Sequence, residues 1–214
     1  MEKICIIKYF KQTKLSIMID HLNSTDTQLF LFINERHNAF FDPIMYWLSN
    51  TLIWLPMYLL IAFIIVRKYK MKGVVLLLFL GVVTALCDQV ASHLIKNIVL
   101  RLRPSHEPDL IGLIHLSKAG IGGMYGFVSS HAANAFGFAA FIGFVLDSNF
   151  KVLKYWLFIW AFLVSYSRVY NGVHYPGDVI VGGALGMLIG WAMSKLYQFI
   201  EFKHLSRRYE IREI

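Results

Sequence analysis

The run from Ile44 to Val66 contains no charged residue. Roughly 20 apolar residues in helix cross the hydrocarbon core of a bilayer, and core helices of soluble proteins seldom stay apolar for so long. The run therefore predicts a membrane span. Four more candidates follow: Gly73–Ile95, interrupted by Asp88 and His93; Phe127–Leu146, with His131 near its start; the short Val152–Ser167; and Asp178 to about Ile200. Pro56 predicts a kink in the first span, because proline removes a helix hydrogen bond. Composition agrees, with 57% hydrophobic and only 16% charged residues. The expected fold class is all-α, a polytopic membrane helical bundle of five to six transmembrane helices. It divides into an N-terminal amphipathic segment (1–43), a transmembrane domain (44–200) and a basic tail (201–214).

Charge placement predicts topology. Arg67, Lys68, Lys70 and Lys72 fall between the first two spans, and Lys151 and Lys154 between the third and fourth. Lys195, Lys203, Arg207, Arg208 and Arg212 cluster towards the C-terminus. The positive-inside rule makes these segments cytoplasmic, so Lys96–Gly126 and Arg168–Gly177 face outward. The net charge of +8 then reflects topology and headgroup contact rather than nucleic-acid binding. The N-terminus fits this scheme less well, because Lys3, Lys8, Lys11 and Lys14 favour the cytoplasm. Either Leu29–Phe41 lies in the interface as an amphipathic helix, or part of 15–41 makes a sixth, polar span. Asp20, Asp26, Glu35 and Arg36 make the second costly, and the interfacial helix is preferred. No cleaved signal peptide is expected. Cys5 and Cys87 are read as unpaired thiols. Gly182, Gly186 and Gly190 line one face of the fifth span, for packing inside the monomer rather than for dimerisation.

The polar residues gather at span ends on the predicted outer side. Lys96 ends the second span, with Arg101, Arg103 and the helix-closing Pro104 beyond it. Ser129, Ser130 and His131 open the third span; Ser167 and Arg168 end the fourth; His174 precedes Asp178 at the start of the fifth. Lys96, Arg103 and Arg168 supply fixed positive charge, and guanidinium forks match phosphate oxygens. The first turn of the third span offers unpaired N–H groups from Ser129 and Ser130, a second anion-binding feature. His174 and Asp178 have the spacing for a carboxylate that holds one ring nitrogen and frees the other as nucleophile. His131, on another helix, can protonate a leaving oxygen.

These residues compose K-x6-R-P at Lys96–Pro104, V-S-S-H at Val128–His131 and S-R-x5-H-x3-D at Ser167–Asp178. Together they resemble the three-part signature of the type-2 phosphatidic acid phosphatase superfamily, over about residues 45–200. The resemblance implies a metal-independent lipid phosphatase with no cofactor. In it His174 attacks phosphorus to form a phosphohistidine, Asp178 orients it, and His131 is the general acid. Lys96, Arg103, Ser129, Ser130 and Arg168 hold the phosphate. Two positions depart from the usual P-S-G-H of that family, Val128 for proline and Ser130 for glycine, which bears on the local turn and on room for substrate.

The segment Asn34–Asn50, N-x7-D-P-I-M-x3-S-N, resembles bacterial undecaprenyl diphosphate phosphatases; lipid A and phosphatidylglycerophosphate phosphatases share the three-part signature. The expected substrate is a phosphorylated bacterial envelope lipid, lipid A or undecaprenyl diphosphate, presented to an outward site in the inner membrane. Two other classes compete: an anionic-lipid transporter, which has no need of the His174–Asp178 pair, and a metal protein built on His131, His174 and Asp178, which three nearby cations disfavour. Arg101 has no place in the motifs and reads as a headgroup anchor. Asp88 has no evident partner, His93, His106 and His115 are ambiguous, and Trp47, Trp54, Tyr155 and Trp156 read as an interfacial belt.

Overall fold

A computed structural model describes the backbone of residues 2–210 and the side chains of 14 and 16–203. The side chains of Lys3, Cys5, Lys8, Lys11, Arg207 and Arg208, and all of Arg212, lie outside the described residues. Among the described residues, eight α-helices run in the order α1 (Glu2–Asn34), α2 (Phe41–Ser49), α3 (Leu55–Tyr69), α4 (Met71–Asp88), α5 (Lys96–Val99), α6 (Ser130–Val145), α7 (Lys151–Tyr170) and α8 (Pro176–Glu210). A π-helical stretch, Gln89–Ile95, joins α4 to α5 without a break. Among the described residues there is no strand, only an isolated bridge between Leu102 and Tyr125.

Among the described residues, three continuous helical segments are long and apolar enough to cross a membrane: Thr51–Tyr69, Met71–Val99 and Pro176–Lys203. The first differs from the expected Ile44–Val66. Asn50 is extended (φ −86, ψ 116) and its side chain accepts from the Leu52 amide, which ends α2 and starts a new helical turn. Pro56 then falls in the first turn of α3, where its missing N–H costs nothing. It begins a helix instead of kinking one.

α8 and α6 pack most closely, and the reason is glycine. A Cβ on Gly182 would come 2.6 Å from the Ser129 carbonyl oxygen, and one on Gly190 2.5 Å from that of Gly137. One on Gly186 would collide with the Ala133 carbonyl. The glycine stripe is therefore used inside the monomer. Around this contact Val83, Cys87, Phe141, Ile142 and Leu157 form a fully buried core.

The ends of the bundle differ in chemistry. At one end Lys68 pairs with Asp147 at 2.8 Å and Lys72 with Glu201 at 2.7 Å. This is the end predicted to be cytoplasmic. The other end gathers α5, the start of α6, the end of α7 and the start of α8. There the last turns of α1 dock through a second core of Phe30, Leu110, Val169 and Tyr175. Asp26 of α1 accepts from the Gly177 amide at 2.7 Å, and Asn34 donates to the Tyr170 carbonyl at 2.9 Å.

Candidate active site

Local sequence explains how each element delivers its side chain. Asp88, Ser92 and Lys96 recur every fourth residue, so they share one helix face. The π-helical stretch falls among them, a feature that often marks functional positions. Leu100 is left-handed (φ 54) and stops the helix there, ahead of Pro104, which instead opens a short 3₁₀ turn. The freed chain is pinned beside residues 124–126: the Arg103 amide donates to the Met124 carbonyl at 3.0 Å, and the Gly126 amide to that of Arg101 at 2.9 Å. Gly126 permits this approach, since a Cβ there would lie 2.9 Å from Asp178 Oδ2 and 3.1 Å from Arg103 Cγ.

A cavity of about 380 Å³ opens among these elements. Lys96, Arg103, Ser130, His131, Arg168 and His174 all line it, with Ser49, Trp54, Tyr58 and Trp160 on its other walls. Six of the eight expected site residues thus meet in one space. The other two stand behind it. Asp178 is fully buried and backs His174. Ser129 caps α6: its hydroxyl accepts from the Ala132 amide at 3.4 Å, and its own amide donates to the Asp178 carbonyl at 2.9 Å. That amide is occupied, so the anion cradle expected from both serines narrows to Ser130.

His174 lies in the turn between α7 and α8 and is 1% exposed. Its Nδ1 sits 3.2 Å from Asp178 Oδ2, and its Nε2 sits 3.2 Å from Arg103 Nη1. A guanidinium can only donate. Nε2 therefore carries the lone pair, and Nδ1 carries the proton donated to Asp178. Burial, and then the charges of Arg103, Arg168 and Lys96, hold the imidazole pKa well below its ordinary value. A neutral ring with its lone pair at Nε2 can act as a nucleophile.

Asp178 is itself held. Its Oδ2 accepts from the Tyr175 amide at 3.1 Å, and its Oδ1 from Arg101 at 3.0 Å. Arg101 also meets Asp26 at 2.8 Å. Arg101 is therefore not a headgroup anchor but the bridge between α1 and the carboxylate behind His174.

The phosphate-binding candidates are similarly tied. Lys96 Nζ donates to Ser130 Oγ at 2.9 Å, Ser130 Oγ lies 2.7 Å from Ser92 Oγ, and Ser92 Oγ donates to Asp88 at 3.2 Å. Asp88 thus has its partner. Ser130, a glycine in the usual family pattern, uses its hydroxyl in this chain of contacts, while Val128 is fully buried in the core. Arg168 donates to Ser49, and its Nε is buried without a partner. A buried unpaired guanidinium donor beside a cavity calls for an acceptor. Three cations, Lys96, Arg103 and Arg168, against one lining carboxylate, Asp88, leave the cavity positive.

Several of these partners were not legible from the motifs. Ser92 was visible only as a spacing, and Ser49 only as part of the Asn34–Asn50 segment. That segment now has a physical account: Asn34 holds the Tyr170 and His115 carbonyls, Asp42 accepts from the Tyr170 hydroxyl, and Ser49 receives Arg168. Trp54 lines the cavity instead of standing in a belt, and packs edge-on against Trp160. Trp47, Tyr155 and Trp156 are exposed. His106 contacts Ser105 at 3.1 Å and does not line the cavity.

Known proteins resemble this chain in sequence and fold. The family model of the PAP2 superfamily matches residues 72–201. The lipid A 4'-phosphatase of Bacteroides thetaiotaomicron is 35% identical over 89% of this chain and 83% of its own. That of Porphyromonas gingivalis is 32% identical over 87% and 79%. Among solved structures, Aquifex aeolicus LpxE superposes with a TM-score of 0.56 at 26% identity, covering 79% of this chain and 94% of its own. Fold, motif residues and relatives agree: this integral membrane protein belongs to the PAP2 superfamily.

Proposed function

We propose that this protein is a lipid A phosphatase of the bacterial inner membrane, working through a phosphohistidine and without a metal. One observation carries the reading: His174 presents a lone pair at Nε2 to a positive cavity while Asp178 holds Nδ1–H. The two lipid A 4'-phosphatase relatives support the choice of substrate.

The geometry supports the following chemistry. A phosphate entering the cavity offers oxygens to Arg103, Arg168, Lys96 and Ser130. Arg103 then exchanges its contact with Nε2 for a phosphate oxygen and uncovers the nucleophile. Nε2 attacks phosphorus as the P–O bond to the lipid breaks, and His131, protonated once the phosphate dianion lies beside it, gives its proton to the departing lipid oxygen. In the second half a water attacks, His131 takes its proton, the P–N bond breaks and inorganic phosphate leaves. Pre-set donors around the developing charge are the largest expected contribution to the rate.

For topology we favour five spans with the site facing the periplasm, residues 44–200 as the catalytic domain and 201–214 as a basic cytoplasmic tail. For 1–43 we favour an interfacial helix. Asp26 and Asn34, about 12 Å apart along a helix, meet the start of α8 and the end of α7. These are the two sides of the His174 turn, which supports a course of this part of α1 across the end of the bundle.

Phosphate release by detergent-purified protein tests the proposal, with wild type beside His174→Ala and a chelator present throughout. Lipid A, undecaprenyl diphosphate, phosphatidylglycerophosphate and phosphatidic acid form the panel. Release from lipid A that disappears in the variant is expected. Faster release from undecaprenyl diphosphate would move the substrate to the class that the Asn34–Asn50 segment resembles. No release from any lipid by folded wild type would favour anionic-lipid transport.

A further inference from the structure

Three metal-ligating side chains meet outside the catalytic cavity. His37 and Asp42 flank the turn between α1 and α2, and His115 comes from the outward loop; one ligand atom from each lies within 4.8 Å of the others. The two imidazoles stack nearly parallel, with centroids 3.8 Å apart and planes at 8°. His115 Nε2 lies 3.0 Å from Asp42 Oδ2. That nitrogen is nevertheless buried without a hydrogen bond. A buried imidazole nitrogen beside a carboxylate, with no hydrogen bond between them, is suited to a shared cation.

Outer partners hold the carboxylate of Asp42 and the backbone of His115. The second oxygen of Asp42 accepts from the Tyr170 hydroxyl at 2.8 Å. Asn34 holds His115 from both sides, accepting from its amide at 2.8 Å and donating to its carbonyl at 2.9 Å. His37 is exposed and stacked on His115, so its ring must tilt out of that stack to close on an ion entering from solvent.

We propose that His37, Asp42 and His115 form a zinc site that staples the outward loop to the α1–α2 turn. Two imidazoles and one carboxylate suit zinc, and three protein ligands leave a fourth position for water. Bonds of about 2.0–2.2 Å place tetrahedral ligand atoms roughly 3.3 Å apart, closer than the 4.8 Å within which the three atoms now lie, so the set must draw in around the ion. The site is structural: none of the three residues lines the catalytic cavity. It stands close behind that cavity, however. The His115 carbonyl oxygen lies 2.7 Å from where a Cβ on Gly172 would be, and Gly172 is in the turn that carries His174. Zinc bound there would steady the wall behind the nucleophile.

The test uses tag-free, full-length protein in detergent, stripped with chelator, dialysed and titrated with zinc chloride. Calorimetry and elemental analysis should find one zinc per chain, with a rise in the apparent Tm. His37→Ala and His115→Ala should each weaken binding by more than about tenfold, and the double variant should abolish it while still releasing phosphate. Absence of binding by wild type would overturn the proposal. So would one zinc retained by the double variant, which would place the ion elsewhere, for example on the catalytic histidines. Should the double variant not fold, the exposed His37→Ala decides alone: unchanged affinity there refutes the site.

Discussion

Asp178→Asn is the most informative substitution, because each orientation of the new amide breaks a contact that can be named. Asp178 Oδ2 faces the Tyr175 amide at 3.1 Å and His174 Nδ1 at 3.2 Å, while Oδ1 faces Arg101 at 3.0 Å. With the amide oxygen turned to His174 and Tyr175, the amide nitrogen confronts the Arg101 guanidinium, donor against donor. With the oxygen turned to Arg101, the amide nitrogen confronts the Tyr175 N–H and forces the proton of His174 onto Nε2. The lone pair that would attack phosphorus is then gone. A wrong tautomer and a lost counter-charge together should lower kcat by about 10²–10⁴-fold, as for an orienting carboxylate elsewhere. That is roughly 3–5 kcal/mol of transition-state stabilisation at 1.36 kcal/mol per tenfold. Asparagine has nearly the volume of aspartate, so folding should survive. The assay is single-turnover phosphate release from lipid A, with inorganic phosphate affinity measured in parallel. The loss should appear in the chemical step, with phosphate affinity changed by less than about threefold. A kcat within fivefold of wild type, or a loss confined to KM, would refute the orienting role.

Other consequences can be checked separately. Lys96→Ala and Arg168→Ala should weaken inhibition by phosphate and vanadate by about tenfold or more each, since each removes about 1.5–3 kcal/mol of charge-assisted bonding; unchanged inhibition constants would exclude both groups from the site. Gly186→Ala should cost about 1–3 kcal/mol through overpacking against Ala133, seen as a lower apparent Tm. Gly81→Ala should cost nothing, because a Cβ there meets nothing within 4 Å; equal losses at the two positions would contradict the close α6–α8 contact. His174 also gives stability a pH dependence. Its native pKa is depressed, so the unfolded chain takes up a proton that the native ring refuses. The corresponding stability is present above an unfolded pKa of about 6.5 and falls away as pH drops towards the native value. His174→Asn should flatten the fall in Tm below pH 6.5, and identical profiles would refute the assignment.

How far the sequence could lead depended on whether a contact repeats along the chain or joins distant parts of it. The candidate phosphate-binding residues and the two histidines of the motifs were legible because they stand at or just beyond span ends, where a polar group in an apolar sequence is conspicuous. The glycine stripe was legible because it repeats with the helix. Asp88 and Ser92 had the same kind of signal, one every fourth residue down to Lys96, but it is intelligible only once Ser130 is known to face them. Arg101 had no local signal at all. Its meaning comes from Asp26 and Asp178, each more than seventy positions away, and neither partner is implied by the residues beside it. The break before α3 was missed for a different reason. Asn50 and Pro56 sit inside an apolar run, and apolarity reports what a segment is dissolved in, not where its helix starts. The break also matters to the site. A continuous Ile44–Val66 helix would fix the direction of α2 by that of α3. By stopping at Asn50, α2 is free to turn back across α7 and deliver Ser49 to Arg168. Most of the chemical groups were therefore readable from one dimension, while the supports that hold them in register belong to the folded chain.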